Sequence, residues 1–83
     1  MELTDLRNIG QGIKDKLNSI GINSAEDLKE IGSKEAFYRL KELYPEVCLV
    51  HLYTLEGAIT DTDYNALSEE TKTDLKAFSD LFK

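Results

Sequence analysis

Apolar residues recur along this chain at the three- and four-residue spacing of helices, and no segment alternates apolar and polar residues as a half-buried strand does. The clearest stripes are Ile13, Leu17 and Ile20, and then Ala36, Phe37, Leu40 and Leu43. They predict helices over 11–20 and 33–43, with the polar positions on the opposite face. The chain is therefore predicted to be all-α, a compact bundle of about five or six short helices.

Glycine, serine and proline mark the predicted boundaries between these helices. Gly21 and Gly32 follow apolar stripes, at the position where a helix often ends in a left-handed residue. Ser24 stands three residues before an acid, which predicts an N-cap, and Ser33 is predicted to cap the next helix. Pro45 ends that helix and suits the first turn of a new one.

The segment 47–59 is the most apolar part of the chain and is predicted to be a central helix wrapped by the others. Gly57 interrupts it at a cost of about 1 kcal/mol relative to alanine, which a close helix crossing would explain. Further apolar residues predicted to pack onto this core are Tyr64, Leu67, Leu75, Phe78 and either Leu81 or Phe82. Ser68 is predicted to cap the last helix, and the final residues, 82 and 83, are expected to fray.

A tight turn ahead of the 11–20 helix is the clearest candidate binding site. Ile9 is predicted to point inward, while Asn8, Gly10 and Gly12 tolerate left-handed backbone or close approach of another molecule. A helix start leaves backbone N–H groups without partners, and the helix dipole adds positive charge there. The amides of Gly10, Gln11 and Gly12 are therefore predicted to hold a phosphate-sized anion.

Charge is distributed unevenly around this turn. The whole chain carries −6, which disfavours a general nucleic-acid binder, because lysine and arginine supply most nonspecific affinity for phosphates. Arg7, Lys14 and Lys16 nevertheless face a single acid, Asp15, between positions 7 and 16, a local charge of +2. About three ionic contacts predict weak, sequence-independent binding whose affinity falls with salt at a log–log slope near −3. The alternative is that these charges only solvate a helix surface.

The residues around this turn resemble a helix-hairpin-helix motif over about 4–32. Those that carry the resemblance are Leu6, Asn8-Ile9-Gly10, Ile13, Leu17, Gly21-Ile22, Ser24 and Leu28. In that family the backbone amides of the hairpin contact nucleic-acid phosphates without reading bases. Asn8 stands where the family usually has its first glycine, so the resemblance implies an added side chain at the contact surface.

From about 3 to 78 the chain also resembles the C-terminal domain of the TfoX/Sxy proteins, bacterial regulators of natural competence. The most specific strings are Cys48-Leu49, Leu52-Tyr53 and Leu55-Glu56-Gly57-Ala58, followed by Tyr64-Asn65-Ala66-Leu67. The resemblance implies one helical domain over 1–83 and a role in transcription or competence regulation. Tyr64 and Ser68 depart from the family, which often has tryptophan and proline at these places.

Residues suited to catalysis or metal binding are few. Cys48 and His51 lie three residues apart, but zinc sites need three or four ligands and the chain has no other cysteine or histidine. Cys48 is expected to be a small buried apolar residue and His51 a half-buried one. The pair also lacks an orienting residue and an oxyanion pocket, so we expect no enzyme activity, no catalytic residue, no cofactor and no small-molecule substrate. Glu56 lies within the central helix, and three roles are open for it: an exposed side chain, the partner of a basic residue, or, if buried, a structural hydrogen-bonding group.

Two functions remain open on the sequence. One is a non-enzymatic nucleic-acid-binding module; the other is a protein-interaction or self-association module that acts as a transcriptional accessory factor, with a purely structural hairpin. A continuous positive patch over the hairpin would favour the first, and a patch interrupted by acids the second. An acidic N-terminus without an apolar core, a single cysteine and the absence of a run of about 20 apolar residues predict a cytoplasmic protein with no membrane partner.

Overall fold

The computed structural model describes residues 1–82, which form five α-helices after one turn of 3-10 helix. In chain order the elements are the 3-10 turn Leu3–Asp5, α1 (Gln11–Ser19), α2 (Ala25–Ile31), α3 (Ser33–Leu43), α4 (Leu49–Thr60) and α5 (Glu69–Asp80). No strand occurs between residues 1 and 82, so the all-α prediction is confirmed. Because α4 packs against α2, α3 and α5, it is the central helix that the sequence predicted.

The core is built from the inward positions of the 3-10 turn, all five helices and the loops between them. Its largest fully buried side chains are Phe37, Leu3, Leu17, Ile22, Leu28, Leu40, Leu52, Leu55 and Val47. Burying a leucine or phenylalanine side chain contributes about 1.5–3 kcal/mol, so these residues fix how the helices meet. The wrapping of α4 is incomplete at its first turn, where Val50 is 52% exposed.

The glycine stop after α1 is confirmed in detail. Gly21 has φ +88°, and its N–H donates to the carbonyl of Asn18 at 3.1 Å. The N–H of Ile22 reaches the carbonyl of Leu17 at 3.0 Å, which completes a Schellman motif. The left-handed residue at the end of α1 therefore reverses the chain and directs Ile22 into the core.

The predicted cap at Ser24 is confirmed, whereas the one at Ser33 is wrong. Ser24 Oγ accepts a hydrogen bond from the N–H of Asp27 at 3.1 Å. Ser33 is already the first residue of α3, because the single residue Gly32 both ends α2 and precedes α3. The Ser33 hydroxyl instead donates to Glu56 Oε1 at 2.7 Å and ties α3 to α4.

The prediction that Pro45 opens a helix is also wrong, because α4 begins four residues later at Leu49. The intervening residues form a turn whose carbonyls face back towards α3. Lys41 Nζ donates to the carbonyls of Pro45 at 3.0 Å and Val47 at 2.5 Å. Neither carbonyl accepts a backbone N–H within the described residues, so the segment 45–47 is not helical.

Two apolar residues expected in the core lie at the surface. Leu43 is 57% exposed and Tyr64 43%, whereas Leu67 is buried as predicted. Of the two candidates for the last apolar position, Phe82 is the one that packs, with Phe37, Tyr38 and Phe78, and Leu81 is 74% exposed. The expected fraying of Lys83 concerns a residue outside the described range.

Candidate nucleic-acid interface

The turn before α1 takes its shape from Asn8 and Ile9. Asn8 has φ +74°, the left-handed backbone expected of this turn. Ile9 follows and is 6% exposed, so it anchors the turn in the core as predicted. Gly10 is the N-cap of α1 with extended backbone at φ −98°, and neither it nor Gly12 has positive φ. The left-handed position thus falls on Asn8 and not on either glycine.

The side chain of Asn8 faces the protein and not the surface at which it was expected. Its Nδ2 donates to the carbonyl of Thr62 at 2.9 Å, across a sequence separation of 54 residues. A Cβ placed on Gly57 would lie 2.5 Å from this Nδ2 and 2.4 Å from the Thr62 carbonyl oxygen. Gly57 therefore makes room for the turn and the loop after α4, which corrects the expected helix crossing.

The backbone amides at the start of α1 have no hydrogen-bond partner within residues 1–82. Within residues 1–82, the N–H groups of Gly10, Gln11, Gly12 and Ile13 donate to no other group. Gly10, Gln11 and Gly12 are exposed, and a Cβ on either glycine would meet nothing within 4 Å. Four donors at the positive end of a helix are a suitable geometry for one anion.

The basic side chains around these amides already have partners. Arg7 Nε and Nη1 lie 3.4 Å from Asp61 Oδ1 and 3.4 Å from Asp63 Oδ1. Hydrogen bonds to Asp61 and then Asp63 raise the pKa of the Arg7 guanidinium above its usual range. The predicted phosphate ligand Arg7 is thus turned towards the loop that follows α4.

The remaining polar residues of the hairpin are engaged more loosely. Lys14 Nζ lies 3.8 Å from Glu2 Oε2, and Lys16 Nζ lies 5.5 Å from the centroid of the Tyr44 ring. Gln11 donates through its side chain to Asp15 Oδ1 at 2.8 Å, and its backbone N–H has no partner within residues 1–82. Lys14 and Lys16 remain on the same helix as the unbonded amides.

The positive patch expected from the sequence is interrupted by acids. The hairpin's three cations are accompanied by four carboxylates, those of Glu2, Asp15, Asp61 and Asp63. The sequence analysis did not identify Asp61 and Asp63 as the partners that neutralise Arg7. The available signal was the excess of 16 acids over 10 basic residues in the chain, but which acids lie beside Arg7 depends on the tertiary fold.

Cys48 and His51 meet at the start of α4. The backbone N–H of Cys48 donates to His51 Nδ1 at 3.2 Å, and its Sγ lies 3.7 Å from the same nitrogen. Cys48 is exposed, which corrects the expectation of a buried residue, because it is the N-cap outside the helix. Among the described residues no group of three histidine, cysteine or acidic side chains is placed to hold a metal ion.

Comparison with known proteins identifies the family. The model of the TfoX C-terminal domain matches residues 1–79, nearly the whole chain. The chain belongs to the TfoX C-terminal domain family. Two crystal forms of Listeria monocytogenes proteins share its fold, both with a TM-score of 0.95.

The triclinic form contains an uncharacterized protein that is 40% identical, and the match covers 98% of this chain and 92% of that one. The tetragonal form contains a protein of unknown function that is 39% identical, with 99% and 100% covered. No protein of curated function matches the chain. Membership in the TfoX C-terminal domain family points to a competence-related regulatory module. None of the helices in residues 1–82 has the length and apolarity needed to cross a bilayer.

Proposed function

We propose that this TfoX C-terminal domain is a non-enzymatic protein-interaction module, and that its hairpin serves mainly to build the fold. The observation that carries the proposal is the neutralisation of Arg7 by Asp61 and Asp63. A DNA-binding hairpin needs cations that are free to displace counterions from phosphates. Here the arginine and the inward-facing Asn8 both connect the hairpin to the loop after α4.

The overall charge supports the same proposal. A net charge of −6 repels nucleic acid and steers basic protein surfaces towards the domain. The hairpin itself shares this character, since carboxylates accompany each of its cations except Lys16, which lies over Tyr44. The charge of the domain therefore favours a protein partner over a phosphate backbone.

The test is affinity capture of the full chain from nuclease-treated cells, followed by sedimentation of the complex. We expect a heterologous protein held at fixed stoichiometry, and no binding of duplex or single-stranded DNA at low salt. Capture that disappears on nuclease treatment, or a monomer that holds no protein at all, would overturn the proposal. A symmetric dimer in sedimentation would show that the partner is a second copy of this chain and not a different protein.

Weak phosphate binding is a second candidate, and the four unbonded amides from Gly10 to Ile13 specifically favour it. Because Arg7 is engaged, Lys14 and Lys16 are the cations left to contact phosphates, and the salt slope should be near −2.

One substitution isolates the amides from the charges. Gln11 is the first residue of α1, where proline is tolerated because its missing N–H has no helical partner. Gln11→Pro removes an anion-binding amide and preserves the helix, and Gln11→Ala is the matched control for loss of the side chain. If DNA binds at low salt, weaker binding by Gln11→Pro alone assigns it to the amides; equal binding by all three proteins eliminates this candidate.

A further inference from the structure

A broad open groove lies between the α2–α3 junction, the first half of α3 and the length of α5. Apolar side chains line part of it: Ile31 and Leu75 near the junction, and Tyr38, Phe78 and Phe82 towards its far end. The three rings pack on one another, with centroids 5.5 Å apart for Tyr38 and Phe82 and 5.2 Å for Phe78 and Phe82. Tyr38 is 41% exposed, so the groove offers an aromatic surface to a partner.

The polar lining of this groove is strongly acidic. Its carboxylates are Glu35, Glu56, Glu69, Glu70 and Asp74, and its only cation within the described residues is Lys34. Lys34 is already 2.8 Å from Asp74, and Glu35 pairs with Arg39 at 3.0 Å. The remaining three carboxylates, Glu56, Glu69 and Glu70, have no cationic partner in the part of the chain that the structure describes.

Glu56 differs from the other two because it is half-buried and projects from the apolar helix α4. Its Oε1 accepts a hydrogen bond from the buried Ser33 hydroxyl at 2.7 Å, which fixes the position of the carboxylate at the groove. A partly desolvated carboxylate held only by a neutral donor gains most from a charged donor, and a guanidinium supplies two parallel hydrogen bonds. Glu69 and Glu70, in the first exposed turn of α5, extend the same negative potential along the groove.

We propose that this groove binds a basic segment of a protein partner, with an arginine on Glu56 and an apolar side chain against Tyr38, Phe78 and Phe82. Charge complementarity decides the occupant: three unpaired carboxylates disfavour nucleic acid and acidic peptides and favour a cationic chain. The aromatic surface adds an apolar anchor beside the charged one, which is the usual composition of an interface hot spot. The inference rests on the proposed function and names its partner class and site.

The probe is a library of short fluorescein-labelled peptides in which arginines flank a leucine or tryptophan at varied spacings, titrated at low salt against the full chain. We expect a subset to bind and to shift the backbone NMR signals of Gly32–Glu35 and of α5, while those of Gly10 and Gly12 stay in place. Glu56→Gln keeps the shape of the side chain and an acceptor for Ser33, and it should weaken the best peptide about tenfold.

Two controls separate the pairing from general electrostatics. Glu46→Gln removes an exposed carboxylate outside the groove and should leave affinity within about twofold, as expected for a surface charge. A peptide with citrulline in place of arginine should bind weakly and equally to the original chain and to Glu56→Gln. Equal losses for Glu46→Gln and Glu56→Gln would overturn the specific pairing.

The remaining outcomes of the peptide titration also test the groove proposal. No binding by any peptide, or shifts confined to other surfaces, overturns the groove proposal. If the captured protein of the preceding section still binds in that case, the interaction function stands and its site lies elsewhere. If neither peptides nor a captured protein bind, both proposals fail. Sedimentation of the free chain tests whether a second copy of the chain occupies the groove. A dimer that Glu56→Gln dissociates would show that the occupant is this second copy and not a segment of another protein.

Discussion

Asn8 and Gly57 form a contact that joins the turn before α1 to the end of α4. The left-handed backbone of Asn8 directs its amide at the Thr62 carbonyl, and the missing side chain of Gly57 leaves space for both groups. The N–H of Thr62 also donates to the Gly57 carbonyl at 2.8 Å. Alanine at position 57 would therefore collide with backbone that is itself hydrogen-bonded and cannot move independently.

Gly57→Ala should lower the free energy of unfolding by about 2 kcal/mol, because overpacking a close contact outweighs the better helix propensity of alanine. Urea unfolding measures the change. Gly12→Ala is the matched control: it is a helical glycine with nothing within 4 Å of an added Cβ, and it should be neutral or stabilising by up to about 1 kcal/mol. Equal effects of the two substitutions would contradict the contact.

Asn8→Ala should cost about 1–2 kcal/mol of unfolding free energy, since it loses a hydrogen bond and places a Cβ residue without a polar side chain at φ +74°. Asn8→Gly loses the same bond but accepts the backbone, so it should cost about half as much. Chemical denaturation of both proteins gives the comparison. If the two variants are equally stable, the backbone at position 8 carries no strain for alanine.

His51 should titrate below the ordinary histidine range. Half-burial lowers its pKa from the usual 6.5, and the Lys16 ammonium lowers it further. The unfolded chain therefore binds the proton first, so the contribution of His51 to stability is complete above about pH 6.5 and is lost as pH falls through the folded pKa. NMR titration of the ring protons gives the midpoint, which Lys16→Met should raise; an unchanged midpoint would exclude the lysine as a cause.

Among the helices, two N-terminal ends depend on a serine side chain that caps the first turn. Ser24 and Ser68 cap α2 and α5 by accepting from the N–H three residues later, at 3.1 Å in each case. Ser33 is also a serine at a helix start, but Gly32 occupies the N-cap position and Ser33 is the first residue inside α3. Its hydroxyl donates to Glu56 instead. Whether a serine caps a helix is therefore decided by the residue that precedes it and by what lies opposite.

Ser68→Ala should lower the free energy of unfolding by about 1 kcal/mol, the usual effect of removing a helix cap. Ser79→Ala lies near the other end of the same helix, where the serine hydroxyl makes no hydrogen bond within residues 1–82, and it should change stability by less than about 0.5 kcal/mol. Urea unfolding with an unchanged slope makes the comparison. A null result for Ser68→Ala would mean that water replaces the cap fully.

For the molecule as a whole, excess negative charge opposes compaction. A charge of −6 is confined to a body of 29 × 26 × 20 Å, and the ion pairs described above are at least partly exposed and individually weak. Moderate salt screens charges separated by more than roughly 10 Å at 0.1 M, and so acts mainly on the long-range repulsion.

Sodium chloride should therefore raise the thermal midpoint of the original chain between low and moderate ionic strength. Glu30 and Glu46 are exposed and unpaired within the described residues. The double variant Glu30→Lys/Glu46→Lys brings the net charge from −6 to −2 and should lose most of this salt effect. Calorimetry at two salt concentrations compares the proteins; an equal gain in both would assign the effect to something other than net charge.

The sequence by itself determined the helical class, most of the helix positions and the family. Apolar spacing located the inward faces of α1 and α3, and Gly21, Gly32, Ser24 and Ser68 marked ends that depend on neighbouring residues only. Such signals are readable because helix hydrogen bonds and caps join residues three or four positions apart. The free amides after Ile9 were predictable for the same reason, because the first N–H groups of any helix lack partners within it.

Only the tertiary structure decided the electrostatic character of the hairpin. Arg7 meets Asp61 and Asp63 across more than fifty residues of chain, so a local charge of +2 in sequence becomes an acid-interrupted surface in space. The same holds for Ser33 and Glu56, which α3 and α4 bring together across 23 residues. Electrostatic interactions depend on distance in space, whereas a charge summed over a stretch of sequence includes only neighbours along the chain. The packing of the other elements around α4 therefore determines which charged residues meet.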